Sequence, residues 1–200
     1  VLSIFLLNNL GAPNSVLFLS ILIFCSLILF LQQKLKTAQK IGSYGVLVIF
    51  AAALMINGDA DILGRVSIGR FPEKDFYHVY PNADKTSNII DSRWSIYGRS
   101  DLVKYTNQDR VRQLFIDGAA GTQMLRFNGD LRNPDLMLQN LVMSQTSSIP
   151  FLFLSKAERN NMMVIGPGGG KEVLTGLLAG VDQITGVEIN PDFVRIVKKY

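Results

Sequence analysis

"MMVIGPGGGKEVLTGLLAGVDQITGVEINPDFVRIVKKY", residues Met162–Tyr200, is the stretch whose reading decides the fold. Met162–Ile165 is a short continuous apolar run, the pattern of a central parallel strand buried on both faces. It ends in Gly166-Pro167-Gly168-Gly169-Gly170. A helical pattern follows, with Val173, Leu174, Leu177 and Leu178 on one face and Gly180 closing it. Ile184–Val187 reads as a second strand, which runs into Glu188. Asn190 then has the position of an N-cap and Pro191 that of the first helical residue, with Phe193, Val194 and Val197 along one face of a further helix.

Each residue type in this order has a physical reason. Glycine lets the backbone turn sharply and approach a ligand without a Cβ in the way. The helix behind the loop aims unpaired N–H groups and a partial positive charge at the ligand. A carboxylate at the end of the second strand, here 22 residues after Gly166, can accept hydrogen bonds from both hydroxyls of a ribose. The dinucleotide pattern needs Gly at 171, where this chain has Lys171. The phosphate-binding P-loop needs Gly at 165 and Ser or Thr at 172, where it has Ile165 and Glu172. What remains is G-x-G-x-G at Gly166, Gly168 and Gly170, the spacing typical of methyltransferase-like folds. Gly166, Gly168, Gly169, Gly170 and Glu188 are therefore the candidate cofactor-binding residues, and an S-adenosylmethionine-type nucleoside is the expected ligand.

Outward from this segment the composition changes. Residues 1–58 hold no Asp, Glu or Arg before Asp59, and their only charges are Lys34, Lys36 and Lys40, so three units of the +4 net charge sit there. Val16–Leu31 has only Ser20 and Ser26 as polar residues. Ile41–Ile56 is a second, weaker apolar run, and residues 1–7 read as the tail of a preceding span. Such runs without a single acid point to transmembrane helices and an integral membrane protein in contact with the lipid bilayer. The lysines of 32–40 make that loop cytoplasmic by the positive-inside rule. If both runs span, the rest of the chain lies outside, away from any cofactor pool. A cytoplasmic C-terminal domain is nevertheless expected, with the second run interfacial or re-entrant, or the rule outvoted by Arg65, Arg70 and Lys74. The basic excess is thus a loop between apolar segments and gives no nucleic-acid surface. Cys25, the single cysteine, makes no intrachain disulfide and no multi-cysteine metal site, so it reads as a packing residue.

Residues 60–130 read as mainly strand with turns. Arg93–Tyr105 is rich in aromatic and β-branched residues, and Gln113–Asn128 reads as a hairpin with a longer loop at "DGAAG". Asn133-Pro134 opens a helical stretch with Leu136, Leu138, Leu141 and Val142. The domain expectation is membrane segments over 1–58, a β-rich segment over 59–132 and the start of a Rossmann-like α/β domain over 133–200. His78, the single histidine, lacks a visible orienting partner and reads as packed or exposed rather than as a general base. Asp117 reads as a turn former before Gly118, and Trp94, Tyr97 and Tyr105 as the apolar face of strands. Arg93 and Arg99 are too few for a basic groove. Lys198 and Lys199 read as a solvated helix end. No metal site is expected.

From Ser92 to Tyr200, about half the chain, the sequence resembles the membrane-anchored spermidine synthase-like proteins, which have a class I S-adenosylmethionine-dependent methyltransferase fold. The likeness rests on "QLFIDGAAGTQ" (Gln113–Gln123), on "MVIGPGGGKEVL" and on "GVEINPDFVRIVKKY". It implies a transferase of polyamine biosynthesis that binds S-adenosylmethionine or its decarboxylated form, with a small-molecule nucleophile, such as a polyamine, attacking a carbon bound to the sulfonium. It implies that Gly166, Gly168 and Gly170 contact the cofactor, Glu188 its ribose and Gln123 its tail, and that the β-rich segment serves homo-oligomer contacts. Two departures stand out. Soluble aminopropyltransferases carry an Asp in the glycine loop where this chain has Gly169, and an acidic-Tyr-His segment where it has "NPDLMLQNLV". The family's catalytic aspartate would lie beyond Tyr200, so the chain reads as a piece ending early in the fold and no catalytic residue is assigned. The alternatives are a methyltransferase on the same fold and a non-catalytic membrane protein with a degenerate Rossmann-like domain.

Overall fold

The computed structural model describes residues 2–60, 62, 68, 71–79, 89–105 and 108–200. They form two compact units, Val1–Gly69 with Ser92–Gly98, and Arg70–Asp91 with Arg99–Tyr200.

The first unit is built on two helices, α1 (Leu2–Leu31) and α2 (Thr37–Ala60), both long and apolar enough to cross a bilayer. Their short connection folds α2 back along α1, and the amide Nδ2 of Asn57 donates to Oδ1 of Asn14 at 2.5 Å. Both helices outrun their apolar stretches. Residues 2–7, expected as the tail of another span, are continuous with α1 across a kink at Gly11 (φ 73, ψ 169). Pro13 has no N–H for the helical ladder and its ring crowds the preceding turn, while Gly11 adopts the backbone angles that break requires. The residues after the kink, 12–31, rise about 30 Å, enough for a hydrocarbon core. α2 is one unbroken helix of 24 residues with no re-entrant turn. Within this unit Trp94 fills the space a side chain at Gly11 would occupy: a Cβ there would lie 3.2 Å from the Trp94 Cβ. The Ile96 N–H donates to Oδ1 of Asn8 at 3.2 Å.

The second unit contains most of a four-stranded sheet in the order β1 (Ile89–Ser95), β2 (Gly98–Tyr105), β3 (Gln108–Ile116), β4 (Ala119–Leu125). β2, β3 and β4 are antiparallel neighbours. The expected long loop at "DGAAG" is instead a two-residue turn followed by a bulge. Asp117 (φ 51) and Gly118 (φ 74) both take positive φ, as a tight hairpin matching the strand twist demands. Ala120 (φ 48) is the extra residue where Leu114 pairs with Thr122 but Ile116 with Ala119. The Asp117 carboxylate accepts from the Arg99 N–H at 2.9 Å, which supports its reading as a turn former. Tyr97 lies in the turn between β1 and β2, not on a strand face. Arg99 is buried and its Nε contacts Oδ1 of Asp101 at 2.8 Å. Residues 75–79 (α3) are helical, a departure from the mainly-strand expectation, with Asp75 in the first turn where it complements the helix dipole. Phe76 of α3 packs edge-on against Phe115 at 5.6 Å. The side chain of His78 lies outside the described residues.

After α4 (Leu136–Met143) and the short α5 (Pro150–Phe153) come β5 (Asn161–Ile165), α6 (Lys171–Leu178), β6 (Gln183–Val187) and α7 (Pro191–Lys199). β5 and β6 are parallel, Met162 opposite Ile184 and Ile165 opposite Val187. α6 ends as Gly180 foretells: Gly180 (φ 76) donates to the Leu177 carbonyl and Val181 to that of Gly176, a Schellman closure. Arg159 ties the entry to β5 down, donating to the carbonyls of Phe151, Leu154 and Ala179. The expectation that β5 is buried on both faces is not met. α6 covers the Met162 and Ile184 side, so closely that a Cβ on Gly176 would lie 2.6 Å from the Met162 sulfur. The other side leaves Met163 66% and Ile165 81% exposed.

Alternation along the antiparallel sheet gives it two apolar faces. One presents Leu102 and Leu114, which with Phe193 and Ile196 of α7 form a buried cluster flanked by Ile90, Ile116 and Met124. The helix face therefore runs through Phe193 and Ile196. Val194 and Val197, expected beside Phe193, are partly exposed. Ile196→Ala should destabilise this unit by about 2–5 kcal/mol through a cavity at a fully buried site, read by urea unfolding. Gly11→Val should cost about 1–3 kcal/mol by forcing a branched residue into a glycine-only conformation, read as a lower melting temperature in detergent.

Candidate cofactor site

β5 delivers the chain to the glycine loop, where Gly166 (φ 68), Gly168 (φ 51) and Gly170 (φ 83) all take left-handed conformations. The Gly166 N–H donates to the Val187 carbonyl at 2.8 Å, extending the parallel ladder into the loop. At Gly166 and Gly170 an added Cβ would meet nothing within 4 Å, so these positions face open space. Gly168 and Gly169 face the β3–β4 hairpin instead. A Cβ on Gly168 would lie 2.8 Å from the Thr122 methyl, and one on Gly169 would overlap the Gln123 carbonyl oxygen. The Gly169 N–H donates to the Thr122 hydroxyl at 3.3 Å. Two of the glycines thus admit a neighbouring strand, and two leave room beside the loop.

Glu188 lies at the C-terminal end of β6, as its position in the sequence implies. One carboxylate oxygen accepts from the Gly168 N–H at 3.0 Å and the other from the Asn190 N–H at 2.8 Å. Each oxygen retains capacity for a further donor, which two vicinal hydroxyls can supply. Asn190 holds this geometry from below. Its side chain accepts from the Asp192 N–H at 3.0 Å as the N-cap of α7 and donates to the Ser100 hydroxyl of β2 at 3.0 Å, both Asn190 and Ser100 being almost fully buried.

Gly168, Gly169, Gly170 and Glu188 line one cleft of about 890 Å³ between this loop, α7 and the β3–β4 hairpin. A cleft of that size holds a nucleoside-sized ligand. Gly166, expected to contact the cofactor, is not among the residues that line it. Gln123 is not among its lining residues: it pairs with Gln113, and strand alternation gives the cleft its neighbour Met124. Only the Gln123 main chain reaches the glycine loop. The cleft also takes in Arg112, Arg126 and Lys198, none of which stood out in the sequence as a ligand contact, because a strand arginine acquires meaning only from what the fold sets opposite it. Lys199, expected as a solvated end, pairs with Asp91 at 3.0 Å, and its ammonium pKa is raised by its bonds to Tyr200 and Asp91. Among the described residues no three His, Cys, Asp or Glu side chains converge as a metal site.

Comparison with protein-family models, with curated proteins and with solved structures gives no match to this chain.

Gly169→Ala should part the loop from β4 and cost about 1–3 kcal/mol, the usual range for overpacking. The accompanying sign is faster exchange of the backbone amides at positions 168 and 169. Gly170→Ala, whose Cβ has room but whose φ of 83° strains any side chain, should cost about 1 kcal/mol without parting the loop from β4.

Proposed function

We propose that the chain is a membrane-anchored, spermidine synthase-like transferase whose cleft binds S-adenosylmethionine or its decarboxylated form. In this reading the β5–α6–β6 unit opens a Rossmann-like fold of the class I methyltransferase type. The observation that carries it is Glu188, whose carboxylate bridges the Gly168 and Asn190 amides at the edge of the cleft with acceptor capacity to spare. A bound sulfonium cofactor supplies an already activated carbon. The chain's part is to hold the ribose at Glu188, keep the loop open at Gly166 and Gly170, and position the nucleophile. A cytoplasmic C-terminal unit accords with the supply of such a cofactor.

Methyl transfer is the second reading, and Gly169 favours it. The aminopropyltransferases place a carboxylate there to meet the cofactor's amine. In this chain a side chain at 169 would run into the Gln123 carbonyl, so the loop has no room for one.

Equilibrium binding of both cofactor forms to the chain in detergent tests the site. Binding in the micromolar range is the expected result, weakened at least tenfold in Glu188→Ala at a temperature where this variant, which loses two amide hydrogen bonds, is still folded. Wild-type protein that binds neither form would refute a cofactor site.

A further inference from the structure

The charges that line the cleft are unbalanced. Arg110, Arg112, Arg126 and Lys198 face Asp109 and Glu188. Arg110 is engaged by Asp135, and Glu188 by the two backbone amides. Arg112, Arg126 and Lys198 have no carboxylate partner among the described residues. Arg112 is the best placed of them. It stands on β3 opposite Met124, and its guanidinium lies over the Tyr200 ring at 5.3 Å. Its Nη1 is shut off from solvent and has no hydrogen-bond acceptor. Arg112 nevertheless lines the cleft, and a planar guanidinium is the cation that fits a carboxylate best.

We propose that the hairpin wall of the cleft, centred on Arg112 with Lys198 and Arg126 beside it, binds a carboxylate, and that the ligand set of this site excludes polyamines. The proposal rests on the cofactor reading above. The carboxylate comes from the amino-acid tail of intact S-adenosylmethionine or from the acceptor. A diamine acceptor, or the tail of the decarboxylated cofactor, brings cationic groups to a wall that already has three unneutralised cations.

Three nucleosides distinguish these cases in binding to the whole chain in detergent: S-adenosylmethionine, its decarboxylated form and the tail-less methylthioadenosine. A cofactor carboxylate makes the first at least tenfold tighter than the other two, with the advantage lost in Arg112→Gln, largely kept in Arg112→Lys and eroded by salt. Lys198→Gln, at an exposed position, should reduce the same advantage and guards against misfolding of the Arg112 variant. An acceptor carboxylate leaves the three alike, and succinate then binds the methylthioadenosine-saturated protein while putrescine does not. Tightest binding of the decarboxylated form, binding of putrescine, or no effect of any carboxylate overturns the proposal while the nucleoside site stands. Failure of all three nucleosides to bind wild-type protein removes both.

Discussion

The packing of α7 on the antiparallel sheet is the constraint from which the geometry of the second unit follows. Phe193 and Ile196 are buried against Leu102 and Leu114, and the N-cap Asn190 is locked to Ser100 of β2. Apolar burial supplies the driving force and the buried Asn–Ser bond the register, because an amide shut away from water tolerates only a position where its partners are met. Once α7 is seated, the end of β6 is fixed. Glu188, two residues before the cap, is then within reach of the amides of Gly168 and Asn190.

The glycine loop is held from the opposite side by the hairpin. Thr122 and the Gln123 carbonyl lie so close to Gly168 and Gly169 that neither could carry a side chain. A glycine-rich loop is usually explained by its ligand. Here half of it is explained by a strand of the same chain, while Gly166 and Gly170 face open space. The same approach makes β3 and β4 a wall of the cleft, so the cationic residues of that hairpin become part of the site.

The helical unit follows a different rule. In the α1–α2 pair few side chains are buried, and the apolar surface that remains suits lipid rather than water. The specific contacts are polar or conformational: the Asn14–Asn57 bond and the Gly11 kink filled by Trp94. Where solvent is apolar, hydrogen bonds and close backbone approach distinguish one arrangement from another.

The sequence by itself determined the features that depend on local chemistry. The two apolar helices, the strands at Met162–Ile165 and Ile184–Val187, the Gly180 stop, the Asn190-Pro191 start and the Asp117-Gly118 turn are all legible because backbone angles and hydrogen-bond capacity at those residues are set by near neighbours. Glu188 was legible for the same reason, since its place at a strand end follows from spacing. Tertiary structure decided the rest. The bulge at Ala120, the role of Ile196, the absence of Gln123 from the cleft, the open face at Met163 and Ile165, and the gathering of Arg112, Arg126 and Lys198 all depend on which distant segments meet. That pairing is fixed by burial summed over the whole unit, and no short stretch of residues encodes it alone.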